Sequence, residues 1–541
     1  MKPVLKAYGP AIASGILLAL AFPSWGLFPL AWVALVPLIH QTRDLPPRAC
    51  AGRFFLSGWV FYSLLLHWLM TNVYWAGGWA FWGYQALCVM LALYWAALGF
   101  LWSWLRAYRP RYKVPGTLFI LWPAMELLQA EFLSGFGWGA IGYSQGRDLL
   151  ITQWASFGSV VLVSAIVVLC NEFFAWSLPH RAHLRDEPPS SKNPKSKIKN
   201  PKSPPAFRFL LLAVAALVAA HAVGWFLLDK PDYQSRPLNV GIIQTDFPLE
   251  MKWDWEYSEE MVRNIAQKSR WLAQHEKVDL FVWPEGMVID EITTPGIQKE
   301  ITSLTKETGA ALFTGAQRRD EKTGGYPNSS YLIDKDGKIA GFYDKVHLVA
   351  FGEYVPFRKY LPFIQKVVPA IGDVEPGDKQ KVIAAAGRAL GPLICFEVLF
   401  TDMAMKLRED GADFLVVITN LGWFGSSAAI PQEFEIARMR AVETRLPLVH
   451  CSNTGISGVF DPWGRFSMIN AAFGPNGRYV KFGERLSAKD TIMQRMAGAL
   501  PVPAAAKQIH YVPADLAIFV IASVLLIHAA TFRLAAGLKK R

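Results

Sequence analysis

The chain has 541 residues, a formal net charge of +12, 52% hydrophobic and 18% charged residues, 21 tryptophans and a mean hydropathy of +0.22. Its length suggests two or more folded units, and this much apolar surface cannot hide in one water-soluble core, which excludes an ordinary soluble enzyme. Five cysteines without a Cys-x-x-Cys pair exclude a disulfide framework or a zinc ribbon, and the positive charge is no nucleic-acid signal before its residues are placed relative to a membrane.

A helix needs about 20 mainly apolar residues to cross a hydrocarbon layer of roughly 30 Å. Residues 7–39 form the first apolar region; Pro23, Gly26 and Pro29 interrupt it, which predicts two short helices or a re-entrant pair. Residues 54–70, 79–105, 114–132, 151–178 and 209–228 follow, and 514–532 comes last after a long gap, giving eight expected spans. Lys2 and Lys6 ahead of an apolar run imitate a signal peptide, but no small-residue cleavage site follows and further spans come at once. Basic residues gather at 1–6, 43–53, 106–113, 181–208 and 533–541. Basic loops stay cytoplasmic, so both termini are expected inside and the segment between spans seven and eight outside. The expected division is a transmembrane domain over 1–237 with a basic linker at 180–208, a soluble domain over 238–512, and a C-terminal transmembrane helix and cytoplasmic tail over 513–541. The Lys, Pro and Ser tract at 190–205 reads as a disordered linker and topology signal, in preference to a site for anionic headgroups.

Residues 238–512 show globular patterning. Strands are expected at 239–244, 278–283, 311–316, 389–395, 414–419, 448–451 and 458–460. A hairpin is expected at 330–333 and 339–343 around Asp336-Gly337. Helices are expected at 258–276, with Val262, Ile265, Ala266, Leu272 and Ala273 on one face, around Ile297, Ile301 and Leu304, after residue 395 to a break at Gly411, and at 431–445, with Phe434, Ala437 and Ala441 inward. Alternating strands and helices with added hairpins predict α/β layers.

Three of these strands run straight into a reactive side chain. Val282-Trp283-Pro284-Glu285-Gly286 holds a carboxylate at a sheet edge, where burial would raise its pKa. Tyr343-Asp344-Lys345-Val346-His347 places an ammonium. In Pro392-Leu393-Ile394-Cys395-Phe396-Glu397 a thiol leaves a buried strand for a helix start, a setting that favours thiolate over a free thiol of pKa about 8.5. Alone, each has a plainer reading. A Cys in an apolar strand is ordinarily a small core residue, a Lys after a strand lies at the surface, and a Glu after Trp-Pro can cap a helix. The order Glu, Lys, Cys, each at a strand end, makes them specific together. No metal-spaced His/Cys cluster or Gly-rich phosphate loop accompanies them.

Trp-Pro-Glu at 283–285, Asp-Lys-Val-His at 344–347, Phe-Gly-Glu-Tyr-Val-Pro at 351–356 and Ile-Cys-Phe-Glu at 394–397 resemble the nitrilase superfamily. With the apolar helices and Thr-Asn-Leu-Gly-Trp-Phe-Gly at 419–425, essentially the whole chain is similar to the apolipoprotein N-acyltransferase family, which completes bacterial lipoprotein maturation. The resemblance implies a multi-pass α-helical membrane domain plus an α/β nitrilase-like αββα sandwich. It implies residence in the cell inner (cytoplasmic) membrane with the catalytic domain facing the periplasm. It also implies that Glu285 is the proton acceptor, Lys345 the oxyanion stabiliser and Cys395 the nucleophile, with Glu353 and Glu397 in support. The reaction implied is transfer of a fatty acyl chain from a phospholipid, through a Cys thioester, to the α-amine of a diacylglyceryl-cysteine at the N-terminus of an apolipoprotein. Implied partners are that donor, that acceptor and membrane lipid, with no nucleic acid, and the implied chemistry requires no cofactor or metal. His347 is expected to be structural and Cys451 buried and inert.

A lipid substrate also accounts for residues a soluble relative would not need. Phe351, Tyr354, Val355, Phe357, Tyr360, Leu361, Phe363 and Ile364 form an apolar arm after Lys345, and Trp253, Trp255 and Tyr257 cluster before the first helix of the domain. Trp423 is a further lipid-binding candidate, and a folded lid or ordinary core is the plain alternative. Trp75, Trp79, Trp82 and Trp138 fit an aromatic belt or an acyl path. The same triad would also serve a membrane-anchored nitrilase-type amidase that releases the acyl group to water, and a non-catalytic lipid-binding scaffold is the reading from another class.

Overall fold

A computed structural model describes residues 2–72, 77–108, 115–132, 135–179, 206–248, 255–356, 374–469, 471–473, 479–481 and 497–507. The helical part comprises α1 (Lys2–Ala21), α2 (Ala31–Ala34), α3 (Val36–Thr42), α4 (Pro47–Leu65), α5 (Trp79–Tyr108), α6 (Leu118–Glu131), α7 (Leu149–Thr152), α8 (Ala155–Ser177) and α9 (Ala206–Leu227). The break expected at residues 23–29 is present: α1 stops before Pro23, and a short 3₁₀ turn at Phe28–Leu30 leads into α2. Buried polar groups tie these helices together. Glu172 of α8 accepts backbone N–H groups of Gly116, Leu118 and Phe119, a carboxylate at the N-terminus of α6 where the helix dipole favours it.

Three described helices are long and apolar enough to cross a membrane: α5, over Trp79–Ala107, α8 and α9. Residues 6–21 and 28–42 form shorter apolar helices, and α6 has 14 residues. The apolar runs at 54–70 and 151–178 are divided by turns. The outward side of α9 bears Phe207, Leu211, Val218, Trp225 and Phe226, each more than half exposed. The span expected at 514–532 and the tract at 180–205 lie outside the described residues.

Beyond residue 238 the described residues form fifteen strands: β1 (Asn239–Ile243), β2 (Leu280–Val282), β3 (Val288–Glu291), β4 (Ala311–Gln317), β5 (Asn328–Ile333), β6 (Ile339–Asp344), β7 (Ile383–Ala385), β8 (Arg388–Ile394), β9 (Phe414–Thr419), β10 (Leu448–Ser452), β11 (Gly458–Phe460), β12 (Phe466–Met468), β13 (Ala471–Phe473), β14 (Tyr479–Lys481) and β15 (Ala497–Pro501). One sheet runs β14-β13-β15-β1-β2-β4-β5-β6 with β3 on β4, and the other runs β12-β11-β10-β9-β8-β7. Helices α10 (Ser258–His275), α11 (Pro295–Thr308), α12 (Thr401–Glu409) and α13 (Ala429–Thr444) cover them.

Strand alternation explains the layering. Val240, Ile242, Leu280 and Val282 of one sheet meet Leu390, Ile394, Val416 and Ile418 of the other in the central core. Val262, Ile265, Ile297 and Ile301 of α10 and α11 cover Phe281, Trp283 and Leu312 on the outer side of the first sheet. Leu393, Leu415 and Val417 face outward from the second sheet, and their core is continuous through Ala404, Ile436 and Ala441 of α12 and α13 into the helical part. The result is an αββα sandwich whose α12–α13 layer lies directly against the apolar helices.

Candidate active site

Parallel strands gather their carboxyl ends at one edge. The β1–β2–β4 and β8–β9–β10 ladders are each parallel, so the residues just after β2, β8, β9 and β10 open onto the same edge, the usual place for a site in α/β sheets. Glu285 follows β2. Its turn presses on β4, where a Cβ at Gly315 would stand 2.8 Å from the Glu285 Cα, so only glycine fits. Lys345 leaves β6. Cys395 leaves β8 with φ +53°, a left-handed conformation unusual for a side-chain-bearing residue, and so turns out of the strand.

These three residues and Glu353 meet. The Lys345 ammonium is buried, donates to Glu353 Oε1 at 2.8 Å and lies 3.9 Å from Glu285 Oε1. Burial alone would lower the Lys345 pKa, but the Glu353 and Glu285 carboxylates outweigh it and hold Lys345 above the ordinary lysine range. Burial likewise pushes Glu353 up, yet Lys345, the Val349 N–H and Asn328 hold it below the ordinary carboxylate range. Asn328, at the start of β5, donates to both Glu285 Oε1 (2.8 Å) and Glu353 Oε1 (3.1 Å). It spaces the two carboxylates, and nothing in its sequence surroundings marks it.

The surroundings of Cys395 weigh against the thiolate that its strand-end position favours. Burial, reinforced by the Glu285 charge, drives the thiol well above its usual range, and Lys345 only partly offsets this. The segment after it is a five-residue 3₁₀ turn, Cys395–Leu399, with little dipole to help. This setting disfavours the thiolate, so ionising the sulfur calls for a base. Thr419, ending β9, places its hydroxyl against the sulfur.

Glu397 is fully buried and bridges two of the reactive segments. One oxygen accepts Tyr343 Oη (2.7 Å) and the N–H groups of Val346 (2.8 Å) and His347 (3.1 Å); the other accepts Ile394 N–H at 2.8 Å. Burial pushes its carboxyl up to about 6. It pins the Lys345 loop to the Cys395 turn. His347 gives its backbone N–H to Glu397 and lays its ring on Phe400, centroids 3.7 Å apart. Cys451 is buried in the central core against the Ile243 and Val282 carbonyls.

The lipid-contact candidates scatter. Phe351 is exposed with φ +61°, Val355 is buried, and Tyr354 and Trp423 are half-buried. Trp255 lies in a 3₁₀ turn with Tyr257, which is exposed. Trp75, Trp253, Phe357, Tyr360, Leu361, Phe363 and Ile364 lie outside the described residues. Trp79 and Trp82 are exposed, as a belt requires, but Trp138 is not in a belt. It is buried, with its indole N–H on Gln432 of α13 at 2.7 Å. Gln432 also accepts the Trp68 indole N–H (3.0 Å) and donates to the Leu65 carbonyl (3.1 Å). From there aromatic contacts lead to the site: Trp68 to Phe424, and Trp138 through Phe136 to Phe396, the residue after Cys395. Among the described residues no group of His, Cys, Asp and Glu is arranged to hold a metal.

Residues 14–173 match the family described as apolipoprotein N-acyltransferase N-terminal domain, and residues 239–478 match carbon-nitrogen hydrolase. The apolipoprotein N-acyltransferase of Geobacter metallireducens is 33% identical over 476 residues, covering 86% of this chain and 88% of that protein. That of Azotobacter vinelandii is 30% identical, covering 88% of each. Among solved structures, a Helicobacter pylori carbon-nitrogen hydrolase aligns with a TM-score of 0.34 at 19% identity, over 42% of this chain and 84% of that one. An amidase from Nesterenkonia sp. aligns with 0.35 at 18%, over 54% and 97%. The pairing of the two matched regions, together with relatives similar over most of their length, shows that this chain belongs to the apolipoprotein N-acyltransferase family.

Proposed function

We infer that this enzyme N-acylates bacterial lipoproteins by two acyl transfers through a thioester on Cys395. Glu285 takes the Cys395 proton, and the thiolate attacks an ester carbonyl of a phospholipid. Lys345 stabilises the oxyanion, and the lysophospholipid leaves with the proton. The α-amine of a diacylglyceryl-cysteine then attacks the acyl-cysteine and forms an amide, which is more stable than the thioester. Glu353 holds Lys345, and Glu397 fixes the loop of one reactive residue to the turn of another. Both are positioning residues.

The observation that carries this reading is the convergence of Glu285, buried Lys345 and Cys395 at one strand edge. A sulfur so hard to ionise needs a neighbouring base, and Glu285 is the carboxylate with the weaker hold on Lys345. The exposed apolar side of α9 cannot face water over such an area and supports a membrane location. The clustering of basic residues supports an inner membrane with residues 238–512 on the periplasmic side. Phe351, Tyr354, Trp255 and Trp423 are proposed lipid contacts. Incubation with phospholipid and a diacylglyceryl-cysteinyl peptide should add one acyl mass to the peptide amine. Release of free fatty acid with an unmodified peptide would indicate a hydrolase instead.

A further inference from the structure

The second half-reaction has a proton balance that Glu285 alone does not close. An α-amine of pKa about 7.7–8.0 arrives at neutral pH largely as ammonium. Its attack on the thioester forms a C–N bond, breaks the C–S bond and strips two protons from nitrogen. One returns to the Cys395 sulfur through Glu285. The other needs a separate acceptor beside the thioester, from which it passes to water.

Glu433 has the properties of that acceptor. It lies in the first turns of α13, is buried, and bears electrostatically on the Cys395 thiol. Its Oε2 is 3.2 Å from His450 Nε2. His450 Nδ1 is 2.7 Å from the Ile456 carbonyl, which can only accept, so Nδ1 carries a hydrogen. Glu433 Oε1 is buried and has no hydrogen-bond partner among the described residues. Such an oxygen is costly unless a donor arrives. The sheet register agrees: His450 pairs with Val417, and Val417 with Leu393, two residues before Cys395. The neighbouring Gln432 holds Trp68 and Trp138, whose aromatic contacts end beside Cys395.

We propose that Glu433, backed by His450, binds the α-ammonium of the acceptor through Oε1 and takes its first proton. This assignment rests on the acyl-transfer reading and names the residues that receive the amine. Rapid-quench kinetics on the full-length enzyme can follow acyl-enzyme formation from phospholipid and aminolysis by a diacylglyceryl-cysteinyl peptide separately. Glu433→Gln should slow aminolysis about tenfold or more beyond any effect on acyl-enzyme formation, with a raised KM for the peptide. Glu433→Asp should recover part of the loss. On a Cys395→Ala background, Glu433→Gln should weaken binding of the free-amine peptide about tenfold, while binding of the Nα-acetylated peptide stays the same. His450→Asn should show the same split between half-reactions, and serves if Glu433→Gln does not fold. Equal losses in both halves, or equal effects on the two peptides, would overturn the assignment. Absence of any acyl-enzyme in the unsubstituted protein would instead sink the acyl-transfer reading itself.

Discussion

Helices α11 and α13 cover opposite faces of the same sandwich and are built by opposite rules. Of its 14 residues α11 buries Ile297, Ile301, Leu304 and Thr305, and the rest meet solvent to varying degrees. Of its 16 residues α13 buries 14, among them Gln432, Glu433, Glu435, Arg440 and Glu443. A helix with a sheet on one side and apolar helices on the other has no solvated face, so its polar groups must be satisfied internally. Arg440 pairs with Glu443 at 3.1 Å and reaches Tyr143 Oη, and Glu443 accepts the Val160 N–H at 2.8 Å. That N–H is available because α8 kinks at Gly158 and Ser159. The difference teaches that α13 joins the apolar helices to the Cys395 site, whereas α11 only closes a core.

Breaking that contrast should give graded effects. Arg440→Met removes the ion-pair partner of the buried Glu443 carboxylate and should cost about 3–5 kcal/mol in denaturant unfolding of the detergent-solubilised protein. Gln432→Leu leaves the Trp68 and Trp138 indole N–H groups unpaired and should cost about 2–3 kcal/mol, with a shift in tryptophan emission. Glu397 gives a pH signature. Its carboxyl is raised to about 6 in the folded protein against about 4.3 unfolded, so its stabilising contribution is full below the unfolded value and is lost as pH rises through about 6. The loss amounts to about 2 kcal/mol. The stability difference between Glu397→Gln and the unsubstituted protein should carry that slope between those pH values; a flat difference would remove Glu397 as its source. The smallest effect belongs to the solvent side. Arg270 of α10, paired with Glu300 and Glu307 of α11, should cost about 0.2–1 kcal/mol when replaced by Ala, and less in high salt.

The sandwich was largely legible because periodicity and strand ends follow from local sequence. The expected strands at 414–419 and 458–460 coincide with β9 and β11, and Asp336-Gly337 does make the β5–β6 turn, with Gly337 at φ +81°. Glu285, Lys345 and Cys395 were visible because each ends a strand. Asn328 was not, since its contact to Glu285 spans 43 residues and no local pattern encodes it. Gln432 and Glu433 were hidden for another reason. An inward face of Phe434, Ala437 and Ala441 implies that the opposite face is solvated, and sequence does not show a second layer resting on it. For the same reason sequence left Trp138 between a belt and an acyl path. The burial that raises the Cys395 thiol was not legible, because distant segments supply it and it opposes the local helix start.

The most direct test is to trap the acyl group. Brief exposure of the purified enzyme to phospholipid with a labelled acyl chain, followed by acid quench and peptide mass spectrometry, should place one acyl mass on the peptide containing Cys395. Neutral hydroxylamine should remove it, and it should be absent in Cys395→Ala. An acyl group on any other side chain, or none on Cys395 while the peptide acceptor is still being acylated, would contradict a thioester at this sulfur.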